Sequence, residues 1–375
     1  MLSSRLEDVS WVDAFSLPSI FDSRLSLYKE WHDFVFFDRS SRLFGLLNFA
    51  VHGNPYDSKR GYGVALAFLV APGGGIHTAM KLIPLSRLTV SAYSPDFVGD
   101  EVAVSYLGNN SFNIKGMIDD ISLDLSIPVI LPPVTMNQIG FDVLGRNQIK
   151  PGMLGAAAEM ARIWDKWVEL PRLSVVGRIG TRGTDYFVNT NTGYQDHEGG
   201  RFDWGSVAGW DTGVLLCDPT SAGEPEKVSF LFYRYGLSGE NSYGGIIAKT
   251  ADGNEQFFST EKITITKSGE FSGERAYLPG VTRLLYPDYK PKVPATIVFS
   301  ASDSSDSVEI TFTPRAVCTI VVASTSNEAE TTFNEMYCDA SFKASIGGET
   351  YDKLIPCWFE SVGPRGKLND HASET

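Results

Sequence analysis

The sequence lacks the features that would place its 375 residues in several broad classes. No run approaches the roughly 18 apolar residues of a transmembrane helix, and residues 1–21 lack the apolar stretch of a secretory signal. Basic residues number 32 against 45 acidic ones, and the resulting net charge of -13 disfavours a phosphate-bearing nucleic acid as partner. The sequence therefore predicts a cytoplasmic protein with no membrane span and no nucleic-acid partner.

Cysteine and histidine are sparse as well. The four cysteines stand far apart without a Cys-x-x-Cys pair, which predicts reduced, mostly buried thiols. None of the five histidines stands at ligand spacing from another, so no metal site is predicted. The glycine-rich phosphate loops and the motifs of zinc proteases and serine hydrolases are also absent. We therefore expect no cofactor.

The sequence does have the spacing of an all-β protein. Its 36 glycines and 19 prolines fall between short runs of alternating apolar and polar residues. The run Ile121–Ile127 alternates strictly, which predicts a strand with one face on a core. Hairpins are predicted around the turns at 108–110 and 251–254 and a loop at 73–75. Further strands are predicted at 296–299, 307–313 and 318–324.

Three segments depart from this pattern. Residues 153–167 are rich in helix formers and repeat apolar side chains at three and four positions, which predicts one short helix. Residues 363–375 carry no apolar side chain and are predicted to form a flexible tail. Residues 1–24 contain Trp11, Phe15 and Phe21, so this segment is expected to pack.

Two segments combine charged and aromatic residues. In the first, residues 30–38, strand alternation places Trp31 and Asp33 on one face and His32 on the other. The second, residues 193–213, is denser. A strand there would put Tyr194, Asp196 and Glu198 on one face and Gln195 and His197 on the other. Because buried polar groups must be hydrogen-bonded, such a density indicates either a structural network or a functional site.

These two segments resemble sequence patterns of the lipocalin-like superfamily that includes AttH-type proteins, carotenoid 1,2-hydratases and fungal decalin-forming Diels–Alderases. Residues 30–34 stand where that superfamily has an EWWYFD strand, and His32 and Asp33 depart from it. Residues 195–199 match its DHE motif, with Gly199 where tryptophan is usual. Weaker matches follow at 209–215, 230–235 and 246–253. The resemblance extends from about residue 28 to residue 360.

The resemblance implies an all-β fold of two lipocalin-like β-barrel or β-sandwich domains packed together. The domains would span residues 1–205 and 206–362, followed by the tail. It also implies a hydrophobic small-molecule substrate and no cofactor, and leaves the choice between a monomer and a homodimer open. Tyr194 and Asp196 match a Tyr-x-Asp pair that is implicated in alkene protonation in the hydratases.

Three functions remain open on this basis. The first is a cofactor-independent cyclase of the [4+2] type, acting on a polyene, polyketide or terpenoid in natural-product biosynthesis by holding it in a reactive conformation. In that hypothesis a hydrogen-bond donor would activate a carbonyl of the substrate, and the candidate donors are Tyr194, His197 and Arg234. The remaining candidate substrate-binding residues are Trp31, Asp33, Trp204, Trp210 and Tyr233.

The second hypothesis is an alkene hydratase or proton-initiated cyclase. Asp196 would be the acid, kept protonated by an apolar pocket. Tyr194 would position it, and His197 or Glu198 would accept a proton from water. The third hypothesis is a non-catalytic intracellular binder of a hydrophobic ligand, in which the aromatic residues only line a cavity.

Overall fold

The computed structural model describes Val9 and residues 13–135, 164–207, 209–216, 228–235, 243–250, 255–259, 262–280, 291–323 and 330–364. These residues form 22 β-strands and three short 3-10 turns. They divide into two compact units, the first ending at Phe202 and the second beginning at Asp203. Within the described residues, no helix is long and apolar enough to cross a membrane.

The first unit is built on one antiparallel sheet of twelve strands. Its order is β4-β3-β2-β1-β12-β11-β9-β8-β7-β6-β5, and β10 pairs with β11. The strands are β1 (Tyr28–Asp38), β2 (Leu43–Gly53), β3 (Gly61–Val70), β4 (Ile76–Pro84), β5 (Leu88–Val90), β6 (Phe97–Gly99), β7 (Val102–Tyr106), β8 (Ser111–Ile118), β9 (Ile121–Pro128), β10 (Val134–Thr135), β11 (Trp164–Thr181) and β12 (Thr184–Arg201). Two 3-10 turns lie at Leu25–Leu27 and Leu85–Arg87.

The second unit contains a sheet of ten strands in the order β16-β15-β14-β13-β22-β21-β20-β19-β17. Strand β18 pairs in parallel with β20. The strands are β13 (Trp210–Leu215), β14 (Val228–Tyr235), β15 (Tyr243–Thr250), β16 (Glu255–Ser259), β17 (Ile263–Ser268), β18 (Glu274–Leu278), β19 (Thr296–Ser302), β20 (Ser307–Ala323), β21 (Glu330–Ile346) and β22 (Glu349–Pro364). A 3-10 turn at Trp204–Ser206 precedes β13.

Each sheet curls into a nearly closed, barrel-like shape around its own apolar core. The core of the first unit includes Phe34, Phe49 and Phe112, and that of the second includes Phe232, Phe312 and Phe359. Neighbouring phenylalanine rings in both cores meet edge to face or tilted, as aromatic quadrupoles favour. The expected fold class, all-β with two lipocalin-like barrels, is confirmed.

Several local predictions are also confirmed. Strand β9 buries every second residue from Ile121 to Ile127. Strands β7 and β8 pair around 108–110, β15 and β16 pair around 251–254, and β3 and β4 pair around 73–75. The runs predicted at 296–299 and 307–313 lie in β19 and β20, and so do residues 318–323 of the run predicted at 318–324, although β20 is one continuous strand. Residue 324 lies outside the described residues. Cys318, Cys338 and Cys357 are buried thiols that form no disulfide, and Cys217 lies outside the described residues.

Other local predictions were wrong. The short helix predicted at 153–167 is contradicted at its end, since residues 164–167 begin strand β11. Their alternation across a sheet overrides helix propensity, and residues 153–163 lie outside the described residues. Strand β22 continues through Gly363 and Pro364, two residues into the predicted tail, and residues 365–375 are not described. Phe15 is buried as expected, but Phe21 is exposed.

The core of the second unit allows a stability test of the packing. Phe342 is 1% exposed and its ring lies 4.5 Å from that of Phe230. We expect Phe342→Ala to lower the free energy of unfolding by about 3–5 kcal/mol, because it leaves a cavity in the core. Leu354→Ala, on the neighbouring strand and 70% exposed, should change it by less than about 0.5 kcal/mol. Urea unfolding followed by circular dichroism measures both, and equal effects would contradict this packing.

Candidate functional site

The two polar-aromatic segments of the sequence meet as neighbouring strands. In β1 and β12, Asp33 lies opposite Asp196, and His32 lies opposite His197. Strand β11 continues the ladder on the other side of β12, with Glu169 opposite Asp196. Directly opposed residues share one face of a sheet. One face of these strands points into the apolar core and is called the core face here; the other is called the second face.

Four polar residues form a row across the second face. Asn48 on β2, Asp33 on β1, Asp196 on β12 and Glu169 on β11 are successive register partners, and we call them the carboxyl row. All three carboxyl groups belong to buried residues. The Asn48 side chain donates from Nδ2 to Asp33 Oδ1 at 2.8 Å. Three neighbouring carboxyl groups in a buried position cannot all be ionised, because like charges repel strongly away from water.

Glu169 carries the proton that this crowding requires. Burial raises its pKa to about 8, and the negative charge of Asp33 adds to the rise. The indole of Trp167 works against the shift by donating from Nε1 to Glu169 Oε1 at 2.7 Å. Within the described part of the chain, Glu169 Oε2 has no hydrogen-bond partner. At neutral pH Glu169 is thus a protonated acid with one oxygen uncommitted.

Large aromatic side chains share the second face with the carboxyl row. Trp31 on β1 and Trp167 on β11 both lie opposite Glu198, and Tyr194 lies opposite Val35. Trp31, Trp167, Tyr194 and Glu198 are all buried. The sequence had predicted that Tyr194, Asp196 and Glu198 share one face and that Trp31 shares a face with Asp33. The strand register agrees with both assignments.

His197 belongs to the opposite, core face. Its Nδ1 lies 2.9 Å from Asp13 Oδ1, and its Nε2 lies 2.7 Å from Glu30 Oε1. Gln195 donates from Nε2 to Asp13 Oδ1 at 3.1 Å and lies 2.8 Å from Nδ1 of His32. The two imidazole rings stack with centroids 3.7 Å apart. These five residues, called the core-face network here, are at most 1% exposed.

The two histidines of this network differ in protonation. Burial lowers the pKa of His32 well below its usual value, and the charge on His197 lowers it further. Burial would also lower the pKa of His197, but the carboxylates of Asp13 and Glu30 outweigh it and raise that pKa. With both nitrogens facing carboxylates, His197 is an imidazolium held between two anions. It does not share a face with Asp196.

The remaining candidate residues lie in the second unit, where two of them pack together. Trp204 and Trp210 have ring centroids 6.3 Å apart, and both rings contact Phe333 edge to face. Tyr233 is buried on the next strand, β14. Successive residues of a strand face opposite ways, so Arg234 lies on the face of β14 that carries the core residues Phe230 and Phe232. There it forms an ion pair with Asp211. Burial would raise the pKa of Asp211, but Lys267 and Arg234 hold it at about 2.

A pair of acids accompanies these tryptophans. Glu335 on β21 and Glu360 on β22 lie directly opposite each other. Trp358 donates from Nε1 to Glu335 Oε2 at 2.7 Å, and Trp210 donates to Glu360 Oε1 at 2.5 Å. Burial raises the pKa of Glu360, although hydrogen bonds from Glu335 and Trp210 oppose the rise. Burial beside a second acid therefore favours the protonated form of Glu360.

Sequence reasoning missed several of these residues. Glu169 lay at the edge of the predicted helix, where its alternation with Trp167 was the only signal. Asn48 stood in a run that reads simply as apolar. The prediction of no metal site was based on spacing along the chain, which does not show that His32 and His197 are neighbours across two strands. Asp13, His32 and His197 have ligand atoms within 4.8 Å of one another, although His32 and His197 are distant in sequence.

Comparison with known proteins gives structural matches only. No family model and no curated protein matches the chain. A candidate AttH from Nitrosomonas europaea has a TM-score of 0.60 at 14% identity, covering 93% of this chain and 97% of that one. CghA bound to Sch210972 has a TM-score of 0.55 at 8% identity, and the match covers 90% of this chain and 88% of that one. Kievitone hydratase from Nectria haematococca has a TM-score of 0.50 at 9% identity, and the match covers 94% of this chain and 97% of that one.

These matches show that the chain shares its fold, along nearly its whole length, with the lipocalin-like proteins that its sequence resembles. At such low identity they carry no information on the site. Which residues act on a ligand must therefore come from the geometry described above.

Gly199 gives a test of the core-face network. Gly199 lies opposite Glu30 in the register of β1 and β12. A Cβ added there would lie 2.7 Å from Cγ of Glu30. We expect Gly199→Ala to lower the free energy of unfolding by about 1–3 kcal/mol, because Glu30 must move away from His197. Gly75→Ala, whose Cβ would meet nothing within 4 Å, is the matched control for thermal unfolding. A Gly199→Ala variant as stable as this control would show that Glu30 is free to move.

The raised pKa of Glu169 predicts a pH dependence of stability. Between about pH 4.5 and pH 8 the folded protein keeps a proton on Glu169 that the unfolded chain releases. The free energy of unfolding should therefore fall as pH rises through this window. Glu169→Gln should flatten the slope in urea unfolding curves measured from pH 5 to 8. Glu101→Gln removes an exposed carboxyl group and should keep the wild-type slope. An unchanged slope for Glu169→Gln would mean that Glu169 is ionised in the folded state.

Proposed function

We propose that this chain is a cofactor-independent enzyme that protonates a carbon–carbon double bond of a hydrophobic small molecule. The outcome is hydration of the alkene or a proton-initiated cyclisation. The observation that carries this proposal is Glu169, a buried carboxylic acid with a pKa of about 8 and an uncommitted oxygen. This replaces Asp196, the acid expected from the sequence, with its register partner on β11.

The chemistry of alkene protonation explains why such an acid is needed. An unactivated double bond is a weak base, so the donor must hold its proton at neutral pH and stand in a site without competing water. Burial gives Glu169 the first property, and the indoles of Trp31 and Trp167 supply an apolar surrounding. Indole and phenol faces also stabilise a carbocation through cation–π attraction. Tyr194 and the two tryptophans can serve that purpose on this face.

The remaining carboxyl groups have a complementary role. Asp33 and Asp196 lie beside the acid in the same row. After the proton has left Glu169, a carboxylate in this row can accept a proton from the attacking water. Asn48 holds Asp33 in place by its hydrogen bond. His197 is committed to Asp13 and Glu30 on the core face, so we assign it a structural role.

The fold comparison supports this choice without deciding it. One structural neighbour is named as a hydratase of kievitone, and another, CghA, is a Diels–Alderase. A [4+2] cyclase is therefore the second candidate. In that case the protonated Glu169 would donate a hydrogen bond to a carbonyl of the substrate and lower the barrier without transferring its proton.

Glu169→Gln separates the two candidates, because an amide donates a hydrogen bond but no acidic proton. The purified protein is incubated with a small-molecule extract of producing cells that lack the gene, in water enriched in heavy oxygen. Products are followed by high-resolution mass spectrometry. We expect the wild type to convert a hydrophobic compound and Glu169→Gln to slow the conversion about 10²–10⁴-fold. Glu101→Gln should keep the wild-type rate.

The mass of the product distinguishes the reactions. Hydration adds one labelled water, and proton-initiated cyclisation gives an isomer whose formation is lost in Glu169→Gln. An isomer that Glu169→Gln still forms at nearly the wild-type rate would contradict the acid and favour the [4+2] cyclase. A compound that stays bound to the protein unchanged would instead support a carrier.

A further inference from the structure

The core-face network brings metal-ligand groups together from three parts of the chain. Asp13 precedes β1, His32 lies on β1, and Gln195 and His197 lie on β12. Asp13 Oδ1 is 2.9 Å from His197 Nδ1, and Asp13 Oδ2 is 3.7 Å from His32 Nδ1. All three ligand atoms lie within 4.8 Å of one another. The carboxyl row of the proposed acid is on the other face of the same strands.

These distances suit a tetrahedral zinc ion. Zinc binds imidazole nitrogen and carboxylate oxygen at about 2.0–2.2 Å, so tetrahedral ligand atoms stand about 3.3–3.6 Å apart. The 2.9 Å between Asp13 Oδ1 and His197 Nδ1 and the 3.7 Å between the other Asp13 oxygen, Oδ2, and His32 Nδ1 lie on either side of that range. Small movements of side chains would therefore bring the three atoms around one ion.

Gln195 offers the fourth ligand. Its Oε1 is buried without a hydrogen-bond partner among the described residues, while its Nε2 lies 2.8 Å from His32 Nδ1 and 3.1 Å from Asp13 Oδ1. Rotation of the amide by half a turn exchanges the two atoms. The oxygen would then point at the same centre as the other three ligands. In that orientation the oxygen replaces the Nε2 group that faces His32 and Asp13 when no ion is bound.

A carboxylate also accepts a hydrogen bond from the second ring nitrogen of one of the histidines. Glu30 accepts from His197 Nε2 at 2.7 Å and is itself held by Tyr28 Oη at 2.6 Å and by the backbone N–H of Ser16 at 2.8 Å. Histidines that bind metals usually donate their second nitrogen to such a partner, which fixes the ring and its tautomer. His197 is thus oriented with Nδ1 toward the centre.

We propose that Asp13, His32, Gln195 and His197 form a closed, tetrahedral site for Zn²⁺ inside the first barrel. Four protein ligands leave no open position, so the ion would stabilise the fold and take no part in the reaction. It would bind the segment before β1 to the β1–β12 pair. Without the ion, the same side chains form the hydrogen-bonded network described above.

Metal content and refolding of the full chain test this site. The tag-free wild type is purified without added metal, and bound zinc is measured by plasma mass spectrometry. We expect one zinc per chain that survives washing with a weak chelator. Unfolding with EDTA and refolding without metal should lower the melting temperature by on the order of 5 °C, and refolding with Zn²⁺ should restore it. Co²⁺ in place of Zn²⁺ should give the visible absorption of a tetrahedral site.

Substitutions at two buried residues and one control substitution make the test more specific. Asp13→Asn should lose the bound zinc, while Gln195→Glu should keep it, since a carboxylate is also a zinc ligand. His77→Ala removes a histidine outside the network and should behave as wild type. The proposal is overturned if the wild type retains no zinc after washing and melts at one temperature with or without Zn²⁺. The proposal is also overturned if Gln195→Glu lowers the melting temperature whether or not Zn²⁺ is supplied. That result would mean that the four residues form a hydrogen-bonded network and no zinc site.

Discussion

The pairing of β1 with β12 is the interaction on which the rest of the first unit depends. It joins the first strand of the unit to its last, and its register sets every cross-strand contact of both polar clusters. Because side chains alternate, this one register places the carboxyl row on the second face and the histidines on the core face. A slip by one residue would turn each set to the other face and separate His197 from the carboxylates that balance its charge.

The two faces of these strands accommodate buried carboxyl groups in different ways. On the core face, charge is balanced, since the imidazolium of His197 lies between the carboxylates of Asp13 and Glu30. On the second face the described neighbours of Glu169 in the carboxyl row are an amide and two acids, so charge is reduced by protonation. The second unit repeats this contrast, with Asp211 between two cations and Glu360 beside another acid. Only where protonation reduces the charge does a buried carboxyl group hold a proton that it could donate.

Much of the fold was predictable because it rests on local signals. Alternation and turn residues marked β9 and the hairpins around 108–110 and 251–254, and alternation also separated Asp196 from His197. The order of strands was beyond such reasoning, since nothing local joins β1 to β12. Glu169 was missed for a related reason. It lies two residues beyond the segment that favours a helix by composition, and only the pairing of β11 with β12 shows that the whole stretch is a strand. Asp13 was missed because its partners lie far away along the chain.

The great sequence separation across the β1–β12 pair also has a consequence for biosynthesis. His32 and Gln195 are 163 residues apart. A chain emerging from the ribosome therefore carries β1 with one unpaired edge until β12 has been made, and closing so large a loop is slow. Throughout that interval the acids of β1 are exposed to water, and charged side chains on an open strand edge disfavour its pairing with other chains. The carboxyl row is complete only once β12 has paired with both β1 and β11.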